Sequence, residues 1–256
     1  MIDNHIHIGQ FYENYYNPIE IIQIVMEKCT EGLCFSSTTT CKEDITYSEI
    51  EREICHTLAH IPWSSDVVQP FFWFIPSFIE QKIVFERAIS NLPYKGIKLH
   101  PLAHHWDLNN KRIVSALHEI FGYADSNNMP VLIHTGHSGV DAAGTFSLFF
   151  PLYPKTNFIL AHCRPLAEAV SFIRKYPNVY GDTAFVSNAN IEKIIKEGLS
   201  QKIYMGSDFP ITYYFSNKYP SGMEKINSLE EQYKSDFRGL LYFSSLLNHK
   251  LKKYNQ

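Results

Sequence analysis

Five histidines and one aspartate stand at or just past the ends of short apolar runs, where side chains able to hold a cation or move a proton would be displayed together. They are His5 and His7 in Asp3-Asn4-His5-Ile6-His7, His100 after Lys98-Leu99, His134 after Val131-Leu132-Ile133, His162 after Phe158-Ile159-Leu160-Ala161, and Asp208 after Tyr204-Met205-Gly206-Ser207. Residues i and i+2 of a strand point to one side, so His5 and His7 would aim two imidazoles at one place. Three neutral imidazoles with a carboxylate suit Zn²⁺, and Mn²⁺, Fe²⁺ or Co²⁺ are also compatible. Each residue alone has a plainer reading. His5 and His7 can be two surface histidines, His134 and His162 core histidines bonded to carbonyls, and Asp208 a helix N-cap, with Pro210 two residues on. Their joint placement favours a shared site, because a carboxylate at a buried strand end is costly unless paired or metal-bound.

An alternating chain would position them. Short β-branched or aromatic runs are each followed by longer stretches with helical spacing, the rhythm of a parallel α/β sheet. Strands are expected at 2–8, 32–38, 67–75, 95–100, 130–135, 157–162, 178–184 and 202–207. Helices are expected from Pro18 and at 47–60, 80–91, 111–127, 138–153, 165–176 and 191–199, with a helical tail over 223–253. Eight such units close into a (β/α)₈ TIM barrel, whose usual length of ~250 residues fits the 256 here as a single domain, 1–256. In such a barrel the C-terminal ends of the strands meet at the face that carries the active site. The residues above lie at the ends of the first, fourth, fifth, sixth and eighth strands. The aromatic run Phe71-Phe72-Trp73-Phe74 reads as barrel core.

Composition narrows the partners. Hydrophobic residues are 45% of the chain, enough for a large core, and the formal net charge of -3 gives no basic excess for nucleic acid and no polybasic patch for a membrane surface. The most apolar run, 67–79, contains Gln69, Pro70 and Pro76 and is too short to span a bilayer. Met1 runs into Ile2-Asp3-Asn4 without a basic start or an apolar stretch, so no signal peptide is expected. The five cysteines (Cys29, Cys34, Cys41, Cys55 and Cys163) form no CxxC pair, which suggests neither a disulfide framework nor a cysteine zinc site. A cytoplasmic setting and a small-molecule substrate are expected.

Five pieces together resemble the amidohydrolase superfamily, most closely its amidohydrolase-related branch: Asp3-Asn4-His5-Ile6-His7, Gly96-Ile97-Lys98-Leu99-His100-Pro101, Leu132-Ile133-His134-Thr135-Gly136, Ala161-His162-Cys163 and Gly206-Ser207-Asp208-Phe209-Pro210. They occur in the family's order. The resemblance implies that His5, His7, His134 and Asp208 bind one divalent metal and that His162 binds a second metal or meets the substrate and attacking water. Asp208 would also be the general base. In some branches a lysine placed like Lys98 is carboxylated and bridges two metals, whereas the Lys98-Leu99-His100-Pro101 form is similar to relatives with one. Lys98 can equally be a buried lysine paired with an acid such as Asp182.

The chemistry implied is hydrolysis of a small amide, lactone or ester by a water whose pKa the metal lowers toward ~7. Asp208 would take that water's proton, and His162 would help polarise the carbonyl. Arg164 and His100 are candidate substrate contacts, Arg164 as a fork for a carboxylate. His104, His105, Trp106 and His137, with the stretch from Tyr12 to Asn17, would fall on mouth loops. Two other readings keep the same ligands: a nonhydrolytic metal-dependent decarboxylase, and a noncatalytic metal-binding pseudoenzyme.

Overall fold

The computed structural model describes residues 2–27, 31–137 and 139–214. Its strands are β1 (Ile2–Phe11), β2 (Asn14–Tyr16), β3 (Gly32–Ser37), β4 (Val68–Phe74), β5 (Gly96–Leu99), β6 (Val131–His134), β7 (Phe158–Ala161), β8 (Val179–Asp182) and β9 (Ile203–Tyr204). Apart from β2, neighbouring strands pair in parallel in the order β1-β3-β4-β5-β6-β7-β8-β9. The ring closes on β1, where Asn4 N donates to Met205 O (2.9 Å), Asp208 N to His5 O (2.7 Å) and His7 N to Phe209 O (2.8 Å). The result is the expected parallel barrel. The helices are α1 (Pro18–Met26), α2 (Tyr47–His60), α3 (Ser77–Glu80), α4 (Phe85–Ser90), α5 (Lys111–Asn127), α6 (Leu166–Lys175), α7 (Asn188–Lys196) and α8 (Ile211–Tyr214). No helix among the described residues is long and apolar enough to cross a membrane.

Strand alternation separates two packing layers. On β4, Phe72 and Phe74 face outward to the helices, where their rings meet Phe78 and Phe85. Phe71 faces the barrel axis and joins Ile2, Cys34, Leu132, Ile159, Ala161 and Tyr204 in a plug below the site. The aromatic run is therefore core, as its composition suggests. Gly181 on β8 has no room for a methyl: a Cβ there would lie 2.4 Å from Cys163 Sγ and 3.0 Å from Ile173 and Ile203. Gly181→Ala is expected to lower stability by about 1–3 kcal/mol through overpacking, read from denaturant midpoints.

Three sequence expectations change. The stretch after Phe11 returns as the antiparallel strand β2, paired Gly9 to Tyr16 and Phe11 to Asn14, and forms a hairpin above the barrel. The helix expected at 80–91 is two pieces, because Lys82 takes a left-handed backbone (φ 56°) that ends α3. The helix expected at 138–153 is replaced, among its described residues, by short 3₁₀ turns at Gly139–Asp141 and Ala143–Phe146. Gly139 is left-handed there, and Asp141 O accepts from Gly136 N (2.8 Å), so the backbone is committed to a loop. The tail helix expected at 223–253 lies outside the described residues.

Candidate active site

Two local departures from regular strand geometry bring the imidazoles to the axis. On β1, Ile2 and Asn4 point inward, which would turn His5 and His7 outward. A register shift between Asp3 and Ile6 against β3 inserts one residue and exchanges the faces. His5 and His7 thereby enter the barrel mouth, while Ile6 and Ile8 join the outer core. On β7, Ile159 and Ala161 already occupy the interior, so the next residue should face out. His162 is left-handed (φ 69°), as is Cys163 (φ 48°), and this turn swings its ring inward. His134 and Lys98 need no such device, since they alternate inward in register on β6 and β5.

The resulting cluster is dense and dry. His5, His7, Lys98, His162 and Asp208 are each under 5% exposed. His7 Nε2 lies 3.1 Å from Asp208 Oδ1, and His5 Nε2 lies 3.9 Å from the same oxygen. The two Nε2 atoms are 3.2 Å apart. His162 Nε2 is 3.7 Å from Asp208 Oδ2 and 3.1 Å from His134 Nδ1. Lys98 Nζ lies 3.0 Å from His5 Nε2.

The far nitrogens fix which atoms are free. His5 Nδ1 donates to Asp182 Oδ2 (2.7 Å) and His162 Nδ1 to Ala184 O (3.1 Å). His7 Nδ1 meets both the carbonyl (3.3 Å) and the hydroxyl (3.1 Å) of Ser36; the carbonyl only accepts, so Nδ1 carries the proton. Three Nε2 lone pairs therefore turn inward: that of His5 accepts from Lys98 Nζ, that of His162 meets His134 Nδ1, and that of His7 faces the carboxylate. Asp208 Oδ1 is buried without a hydrogen-bond partner. Lone pairs converging on an orphaned carboxylate oxygen form the donor set of a divalent cation, with outer hydrogen bonds that orient metal-binding histidines. His5, His7 and Asp208 offer ligand atoms within 4.8 Å of one another; so do His5, His162 and Asp182. His134 falls in neither group; its Nδ1 turns to His162, and its ring stacks on His100 (centroids 3.7 Å apart, 11° between planes).

Electrostatics suit such a site. Burial first, then Lys98, hold His5 well below the ordinary imidazole pKa, so it stays neutral and able to bind a metal. Burial does the same for His134, with His162 beside it, and for His162, with His5 beside it. Burial opposes charge on Asp208, but His5, His7 and Lys98 outweigh it and keep its pKa below the usual value. Burial pulls Lys98 down to about 8, against the pull of Asp208 and Asp182.

Above the cluster opens a cavity of about 750 Å³, within the range for small-molecule sites. Trp73 and His100 line it in a parallel stack (5.9 Å, 6°). His100 Nδ1 accepts from Ala103 N (3.2 Å), which leaves its Nε2 to donate. Arg164 and Lys42 reach the cavity, and Phe185 carries the Arg164 guanidinium on its face (5.5 Å). Tyr12 of the hairpin lines the rim. Trp106, expected at the mouth, packs instead in the core against Phe74 and Phe146, because its loop folds back over β4.

His104 is half-buried, edge-on to Trp73, and desolvation followed by His105 lowers its pKa to about 4. The unfolded imidazole binds its proton near ~6.5, so between these values the unfolded chain holds more protons and stability falls as pH drops. His104→Leu should remove on the order of 2 kcal/mol of that acid destabilisation, measured by urea melts at neutral pH and about pH 4.5. Asp182 enters the sequence reading only as an acid able to pair with Lys98, and Ser36 and Asp141 do not enter it.

A parallel barrel with a histidine–carboxylate cluster at the C-terminal strand ends defines a class of TIM-barrel enzymes. The amidohydrolase family model matches residues 42–220, and the chain belongs to that family and is an enzyme of the amidohydrolase superfamily. The matched span begins after β1, so the His5/His7 pair is placed by geometry rather than by the match. Solved structures agree in fold. An amidohydrolase 2 from Bifidobacterium longum subsp. infantis is 12% identical over 91% of each chain, TM-score 0.58. A probable 2-pyrone-4,6-dicarboxylic acid hydrolase from Acinetobacter baumannii is 12% identical over 90% of this chain and 91% of its own, TM-score 0.60. A 4-oxalomesaconate hydratase from Rhodopseudomonas palustris is 13% identical over 98% and 99%, TM-score 0.53. No curated protein sequence matches the chain.

Proposed function

We propose that this enzyme is a metal-dependent hydrolase of a small lactone, ester or amide that carries a carboxylate. The observation that carries this reading is the buried, unpartnered Asp208 Oδ1 facing the Nε2 lone pairs of His5 and His7. His5, His7 and Asp208 would hold one divalent cation, with His134 joining them by a turn of its ring; Zn²⁺ fits these donors best, and Mn²⁺ is compatible. When bound, such a cation supplies Lewis acidity and acidifies water at neutral pH.

The chain's own groups do the rest. Asp208, kept ionised, takes the proton of the attacking water and returns it to the leaving group. His162 lies within reach of Asp208 Oδ2, where its Nε2 lone pair would meet the attacking water. Arg164, pre-oriented on Phe185, holds the substrate carboxylate as a fork, and His100 donates from Nε2. The cations Arg164 and Lys42 at the cavity support an anionic substrate. A cytoplasmic location and a single domain over 1–256 accompany this reading.

The test is metal content per chain on protein purified without added metal, for wild type and Asp208→Ala. About one equivalent, reduced in the variant, supports the mononuclear site. About two would favour a carboxylated Lys98 bridge. None, even after reconstitution, sinks the proposal. A panel of lactones, esters, amides and carboxylic acids then separates hydrolysis from decarboxylation by release of CO₂, and a loaded protein inert to all of it would be a pseudoenzyme.

A further inference from the structure

Asp182 ends β8 and is 1% exposed. Its Oδ2 accepts from His5 Nδ1 at 2.7 Å. Its Oδ1 accepts from the backbone N–H of His162 (2.7 Å) and of Ala184 (3.1 Å). Ala184 O takes the Nδ1 proton of His162. One carboxylate therefore reaches both imidazoles, directly at His5 and through backbone at His162. The left-handed backbone of His162 (φ 69°) is disfavoured for an L residue, and its N–H bond to Asp182, at 2.7 Å, helps to hold this turn. His5, His162 and Asp182 are close enough to bind a cation themselves. Asp182 and His5 Nδ1, however, already satisfy one another, and a cation between them would displace the Nδ1 proton that keeps the His5 Nε2 lone pair turned toward Lys98 and Asp208.

We propose that Asp182 is the positioning residue of the centre: it sets the His5 tautomer with Nε2 toward Asp208 and locks the turn that swings His162 inward. The consequence for metal binding rests on the function proposed above; the tautomer does not.

Two measurements test it. In metal-free wild type, ¹⁵N-imidazole spectra should show His5 protonated at Nδ1 in a strong hydrogen bond, and Asp182→Asn should lose that signature. With Zn²⁺ alone as probe, in competition with a chromophoric chelator, Asp182→Asn should bind about 10- to 100-fold more weakly. Asn178 serves as control at the opposite end of β8, where its Nδ2 donates to Phe150 O, Tyr153 O and Thr156 O. Asn178→Ala should lower the thermal midpoint and leave Zn²⁺ affinity unchanged. The proposal is overturned if wild-type His5 carries its proton on Nε2, if Asp182→Asn binds Zn²⁺ within twofold of wild type, or if Asn178→Ala weakens binding as much. Should wild type bind no metal, the metal-dependent function fails, and the spectra still decide the role of Asp182.

Discussion

Asp208→Asn is expected to leave a folded barrel that turns over its substrate at least ~10³-fold more slowly. Asparagine is nearly isosteric and keeps the backbone bond from residue 208 to His5 O that closes the barrel. What it removes is the charge that would both attract the cation and accept the water's proton. Losing a general base alone costs about 10²–10⁴ in rate, and the weakened metal adds to that. The stability readout is small and of the same sign. One buried oxygen of Asp208 lacks a donor, but against the cost of burial His5, His7 and Lys98 hold its pKa below the usual value, so the fold favours its charge, and the metal-free thermal midpoint of the variant should fall below that of wild type at neutral pH. The rise in midpoint on adding Zn²⁺ should shrink. A variant with wild-type turnover would mean that another group is the base.

Stripping the metal is the second large effect. A cation binding only the folded site at a thousandfold over its Kd stabilises by about 4 kcal/mol. For a chain of this size that corresponds to a drop of roughly 8–16 °C in thermal midpoint on chelation. Turnover should vanish with the metal and return on titration. The number of equivalents that restores it is the discriminating quantity: one for the mononuclear site, two if Lys98 bridges, in which case Lys98→Met should lose the second. Activity that survives exhaustive chelation would retire the metal-dependent reading.

Much of this architecture was legible because barrel strands are apolar on both faces and end in polar residues. The spacing placed α2 and α5 at their observed limits and the strands within a few residues. Failures came where backbone, not side-chain pattern, decides: the left-handed Lys82 that splits α3 from α4, and the loop at 139–146. The site followed the same division. His134 and Lys98 could be aimed by alternation alone. His5 and His7 looked correctly placed as an i, i+2 pair, but alternation from Ile2 would have sent both outward; the register shift that corrects this leaves no mark in residue types. His162 needed a left-handed turn that alternation also misses. Asp182 was visible only as an acid that could neutralise Lys98, because its actual partners lie on strands distant in sequence.

The closing seam has a further consequence, for biosynthesis. Ser207 N and its hydroxyl both bond the Asp3 carboxylate, across 204 positions. The histidine pair lies on one side of that seam and Asp208 on the other. A nascent chain thus exposes His5 and His7 long before their third partner leaves the ribosome. Until then its histidines lack the carboxylate and the closed barrel that would hold them together. On the ligand set proposed above, metallation would follow ring closure, and fragments arrested before residue 208 are expected to emerge metal-free.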